Sequence, residues 1–104
     1  MECRVVITKD AQKQFEGYLK YLALHIKSSQ ATKNVLEDFK ETKNRLALVA
    51  KNLEYVKNEQ LRALGYKRIN FVRHRYFMLF RIKGNIVYVD QIFHALQDYE
   101  NKML

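Results

Sequence analysis

A chain of 104 residues is long enough for one packed domain and short for two. Its 48% hydrophobic content, with seven tyrosines and six phenylalanines, excludes a disordered tail. Nineteen basic against eleven acidic residues leave a net charge of +8, which favours an anionic partner: nucleic acid, a membrane surface or an acidic protein.

Residues 3–8, CRVVIT, form a short β-branched run expected to be a buried strand. Thr8 stands where a helix N-cap would, and Asp10 falls in the first turn, where it favours the helix dipole. From Lys9 to Lys27, Ala11, Phe15, Tyr18, Leu19, Leu22 and Ile26 recur at helical spacing. Ser28 and Ser29 break that helix and cap a second, about Gln30 to Glu54. Its seam of Val35, Phe39, Thr42, Leu46, Val49 and Leu53 predicts an antiparallel helical hairpin.

Residues 55–65 hold at most a short helical turn, Gln60 to Leu64, stopped by Gly65. Beyond it the apolar period changes from 3.6 to 2, giving strands Tyr66–Phe71, Tyr76–Ile82 and Ile86–Phe93. Lys83-Gly84-Asn85 marks a hairpin between the last two. Residues 95–103 are read as a final helical turn or an extended tail. The expected fold is α+β, in the order β-α-α-β-β-β, with the helical hairpin on one face of a small, mainly antiparallel sheet. The first strand is expected to insert beside a later one.

Strict alternation in the last strand would send Val87, Val89, Gln91 and Phe93 one way and Ile86, Tyr88, Asp90, Ile92 and His94 the other. Both faces are then fairly apolar. Either the C-terminal segment or another chain must cover the second.

No proline, only three glycines and no Ser/Gly-rich stretch predict one domain over residues 1–104. The single cysteine, Cys3, excludes an internal disulfide and points to a reducing compartment. No run approaches the roughly 20 apolar residues of a membrane span. No signal peptide is visible, so a cytoplasmic protein without a membrane partner is expected.

Residues 60–89 contain seven Lys or Arg and no Asp or Glu. Clustered guanidinium groups bind phosphates bidentately and stabilise a phosphoryl transition state. Interleaved Tyr66, Phe71, Tyr76 and Phe77 are suited to stacking on bases. The plainer alternative is that strand lysines and arginines solvate the sheet and guard its edges. His94 closes the last strand, with Asp98 and Tyr99 behind it, and suits proton transfer near neutrality. Its plainer alternative is a hydrogen bond to a neighbouring backbone group. His25 reads as a helix-end residue, and His74 as an addition to the positive field. No His/Cys/Asp spacing suggests a metal, and no Gly-rich phosphate loop or Ser nucleophile motif suggests a cofactor or covalent chemistry.

CRVVIT followed by KDAQKQFEGYLKYLA, and then LGYKRINFVRHRYFMLFRIKGNIVYVDQIFHALQDYE, resemble in order the elements of a RelE/ParE superfamily toxin, half of a bacterial toxin–antitoxin pair. The resemblance covers nearly the whole chain. It implies the β-α-α-β-β-β fold and a cognate antitoxin that wraps and neutralises the toxin. RelE-like members cleave mRNA in the ribosomal A site without metal; ParE-like members poison DNA gyrase without enzymatic activity.

On this resemblance the leading expectation is ribosome-dependent mRNA cleavage, with His94, Arg73 and Tyr99 catalytic. Lys67, Arg68, Arg75 and Arg81 would bind phosphate or RNA, and no metal or cofactor is implied. The alternative is a gyrase poison, and a third is an inactive member that autoregulates its operon. Many ParE-like members carry His-x-Arg-x-Asp where this chain has His94-Ala95-Leu96-Gln97-Asp98, so Leu96 stands in place of the arginine.

Overall fold

Thr8 lies between strand β1 (Arg4–Ile7) and helix α1 (Lys9–Leu24), and its hydroxyl accepts the Ala11 N–H at 3.3 Å. The computed structural model describes residues 2–103. Helix α1 stops at Leu24, short of the expected Lys27, with His25 as its C-cap. Lys27 takes a left-handed φ of 56°, and Ser28 opens helix α2 (Ser29–Val49) by accepting the Ala31 N–H at 3.0 Å. The serine break was legible; the three-residue overrun was not.

Helix α2 also ends early, at Val49 rather than Glu54, and a single 3-10 turn follows over Ala50–Asn52. The sheet takes over the backbone there. Tyr55 bridges Lys67, and the Val56 N–H donates to the Tyr66 carbonyl at 3.0 Å. Asn58 then caps a short helix, α3 (Glu59–Ala63), and Gly65 leaves it at a φ of 88° that favours glycine.

Strands β2 (Lys67–Asn70), β3 (Tyr76–Lys83) and β4 (Ile86–His94) follow, and α4 (Tyr99–Met103) closes the chain. Gly84, at a φ of 60°, makes the β3–β4 hairpin. The sheet order is β1-β4-β3-β2, with β1 parallel to β4 and the other neighbours antiparallel. The fold is α+β, a helical hairpin on one face of a mainly antiparallel sheet, as its sequence predicts.

Ala11, Phe15, Val35 and Leu46 of the hairpin pack on Ile69, Met78, Phe80, Val87, Val89 and Ile92 of the sheet. The opposite face holds a second core of Val56, Leu61, Tyr66, Phe77, Leu79 and Phe93, with Tyr99 and Met103 packed against it. Helices α3 and α4 of the chain itself cover that face.

One expectation about the faces is overturned. Leu79 pairs with Gln91 but Phe80 with Val89, which leaves Asp90 as an extra residue in β4. This β-bulge resets the alternation. Val87, Val89 and Ile92 therefore belong to the helix-side core, while Phe93 belongs to the other. Strict period-two counting had placed Ile92 opposite Val87 and Val89.

Strand β1 ends at Ile7, opposite Val89, and leaves the second half of β4, Asp90 to His94, without a strand neighbour on that side. Side chains of α1 take its place. Gln14 Oε1 accepts the Ile92 N–H at 2.7 Å, and the Tyr18 hydroxyl sits 2.9 Å from the Ile92 carbonyl. Both backbone groups of Ile92 are thus satisfied by a helix.

Candidate nucleic-acid interface

His94 ends β4 directly across from Tyr76, and the two rings meet edge to face with centroids 5.2 Å apart. The His94 N–H donates to Gln97 Oε1 at 2.8 Å, and the same oxygen lies 2.8 Å from the Tyr18 hydroxyl. His94 Nδ1 accepts the Leu96 N–H at 3.2 Å, so in this arrangement the ring proton sits on Nε2. Burial pushes the Tyr18 phenol up; a hydrogen bond from the His94 backbone opposes this, and Tyr76 adds to it. Burial likewise raises Tyr76. Both phenols are protonated at neutral pH.

The loop between β2 and β3 carries Arg73, His74 and Arg75, and it is held from below by an acid that is not among the expected site residues. Asp38 of α2 is fully buried. Its Oδ1 accepts the Val72 N–H at 3.0 Å, and its Oδ2 accepts the N–H groups of Arg73 at 3.0 Å and His74 at 2.8 Å. The His74 ring adds a fourth contact, Nδ1 to Oδ2 at 2.7 Å. Burial alone would push the Asp38 carboxyl up. The His74 hydrogen bond, the Arg73 and His74 backbone groups and the His74 charge together outweigh it and hold the carboxyl below its ordinary value. A signal existed: Asp38 lies three residues after Val35 and four before Thr42, an acid on the apolar stripe of its helix.

Arg68, Arg73 and Arg75 line one shallow groove with Asn70, Tyr76 and Ala95, beside the end of β4. Within it, Arg68 Nε donates to Asn70 Oδ1 at 2.9 Å, and its guanidinium lies 3.7 Å over the Phe77 ring and 5.8 Å from that of Tyr99. The Arg73 guanidinium pairs with Glu41 of α2. Tyr99 stands edge-on to Phe77 at 5.2 Å. Among the described residues no hydrogen bond or ring contact joins His94 to Arg73 or to Tyr99.

The remaining expected phosphate ligands are elsewhere. Lys67 is only 7% exposed; its ammonium sits 3.4 Å from the Lys51 carbonyl and 4.7 Å over the Tyr55 ring. Arg81 lies towards the hairpin end of the sheet, with Nε donating to Asp90 Oδ2 at 2.7 Å. The structure thus gathers Arg68, Arg73 and Arg75 near His94 and separates Lys67 and Arg81 from them. Among the described residues no cluster of three or more His, Cys, Asp or Glu is placed to hold a metal ion, and no helix is long and apolar enough to cross a membrane.

No family model and no curated protein matches the chain. A solved structure does: a chain from the chromosomal ParDE TA system from P. aeruginosa, 17% identical, superposes with a TM-score of 0.73 over 90% of this chain and 97% of that one. At that identity the likeness concerns backbone architecture and not side-chain chemistry. The chain has the RelE/ParE-like α+β fold.

Proposed function

We propose that the protein is the toxin of a toxin–antitoxin pair and acts without catalysis, as a ParE-like poison of DNA gyrase. The observation that carries this reading is the match, over nine-tenths of the chain, to a chain of a ParDE system. The site geometry supports it. Of the three candidate catalytic groups, Tyr99 packs on Phe77, His94 Nδ1 accepts a backbone N–H, and among the described residues no hydrogen bond or ring contact joins His94 to Arg73. The cognate antitoxin is the partner that would cover the apolar end of α1, where Tyr21, Leu24 and Ile26 are more than half exposed.

A second reading, ribosome-dependent mRNA cleavage, has its own observation. The Arg68–Arg73–Arg75 groove runs beside the end of β4, where His94 stands across from Tyr76. In that reading the arginines hold phosphate and His94 moves a proton. One paired experiment separates the two. Purified protein is added to gyrase with plasmid DNA, and in parallel to a translation extract whose mRNA is mapped by primer extension. Trapped gyrase–DNA cleavage with intact mRNA is expected. Ribosome-dependent mRNA cuts with no trapped gyrase would replace the first reading by the second.

A further inference from the structure

At the hairpin end of the sheet, away from His94, lies a cleft of about 350 Å³ between β3, β4 and the end of α3. Tyr88 and His94 are six positions apart on β4, roughly 20 Å at the rise of an extended strand. Tyr55, Leu64 and Tyr88 supply the apolar lining, and Lys67, Arg81 and Lys83 the charge. We propose that this cleft binds a nucleoside phosphate, the base against the tyrosines and the phosphate on Arg81 and Lys83.

Two features show a site already organised before any ligand arrives. The first is the arginine. Asp90, the bulge residue, accepts both Arg81 Nε at 2.7 Å and the Tyr66 hydroxyl at 3.1 Å, and the guanidinium lies 5.2 Å from the Tyr66 ring. A guanidinium fixed through Nε keeps the two terminal nitrogens that grip a phosphate side by side. Arg81 remains half exposed while Asp90 is largely covered, so the orienting acid is behind and the donor in front.

The second is Tyr55. The residue is 54% exposed, yet its backbone is held by the bridge to Lys67 and its ring carries the Lys67 ammonium. Exposed aromatic surface that is ordered without being packed is available for stacking on a planar ring. Asp90, the acid in the lining, is engaged by Arg81 and Tyr66, and the lining holds three cations to this one acid, so the cleft favours an anion. Aromatic lining and a preset guanidinium together select a base that carries a phosphate over either part alone.

The ligand is either a free nucleotide or one residue of a single strand, and this assignment does not depend on the toxin reading. The test is a titration of the full chain, followed by amide NMR, with AMP, adenosine, ribose 5-phosphate, inorganic phosphate and a short RNA oligonucleotide. AMP is expected to move the signals of Tyr55, Arg81, Lys83 and Tyr88, and to bind more tightly than adenosine or inorganic phosphate. Tyr88→Leu and Lys83→Gln, neither in a core cluster, should each weaken AMP by about tenfold with an unchanged melting temperature.

Equal affinities for AMP and the oligonucleotide identify a free nucleotide as the ligand. An oligonucleotide bound about tenfold tighter through the same four residues identifies a strand. The proposal is overturned if AMP behaves as inorganic phosphate does, if its effects centre on Arg68, Arg73 and Arg75, or if both variants bind like the parent. Trapped gyrase with no nucleotide at the cleft would leave the toxin reading standing and remove this one.

Discussion

Asp38 and His74, 36 residues apart in sequence, meet at 2.7 Å beneath the β2–β3 loop and join it to helix α2. The carboxylate is fully buried and accepts three backbone N–H groups besides the ring. Removing it leaves those donors without a partner. Asp38→Ala is expected to destabilise the fold by about 3 kcal/mol, read as a lower urea midpoint. Amide exchange at Val72, Arg73 and His74 should speed up beyond the global change. Unaltered exchange at those three amides would count against the clamp.

The same residue sets an acid limit. Because the folded Asp38 carboxyl titrates below its ordinary value, its contribution is fully present above the unfolded carboxylate value, about 3.9. It disappears as pH falls through the lowered folded value. Urea midpoints measured from neutral to acid pH should therefore drop at the acid end in the parent. In Asp38→Asn that drop should shrink, from a lower plateau.

Tyr66 gives a titration that reports the bulge. Burial is the main reason its phenol is raised, and the neighbouring Asp90 charge and hydrogen bond raise it further, against Arg81. Asp90→Ala removes the second and third contributions and leaves the first. The phenol should then titrate at lower pH by ultraviolet absorbance, yet still above an ordinary tyrosine. A rise in Asp90→Ala would contradict the contact.

The α1–β4 edge predicts a modest, local effect. Tyr18→Phe deletes the hydroxyl that serves the Ile92 carbonyl and Gln97 while keeping the ring against Tyr76. A loss of about 1 kcal/mol in denaturant unfolding is expected. Tyr18→Ala should cost clearly more, since it also removes the ring.

Arg73→Ala tests a negative. The arginine and Glu41 are both about half exposed or more, where an ion pair is screened by solvent. No measurable change in the unfolding midpoint is expected. In the gyrase assay the variant should act like the parent, whereas under the mRNA-cleavage reading it should lose most cutting.

Local chemistry decided what could be read directly. Thr8, Ser28 and Gly84 start or turn elements through their own side chains or backbone freedom, so they were visible one residue at a time. The change of apolar period from 3.6 to 2 after Gly65 located the sheet for the same reason. The ends of α1 and α2 were overrun because helical spacing continues past them. Beyond those ends the backbone turns left-handed at Lys27 and joins the sheet at the Tyr55–Lys67 bridge, neither of which apolar spacing reports.

By itself, then, the sequence determined the order of elements, the helical hairpin, the β3–β4 turn and a cationic strand region. Tertiary structure alone decided the face of each β4 residue, because a bulge at Asp90 depends on pairing with β3. It also decided which charges are free. Pairing distances between remote residues are not encoded in spacing, so only the folded chain could bury Lys67, tie Arg73 to Glu41 and set Asp38 beneath the basic loop. The acid-free stretch looked uniform; folding divides it into a groove beside His94 and a cleft at the other end of the sheet.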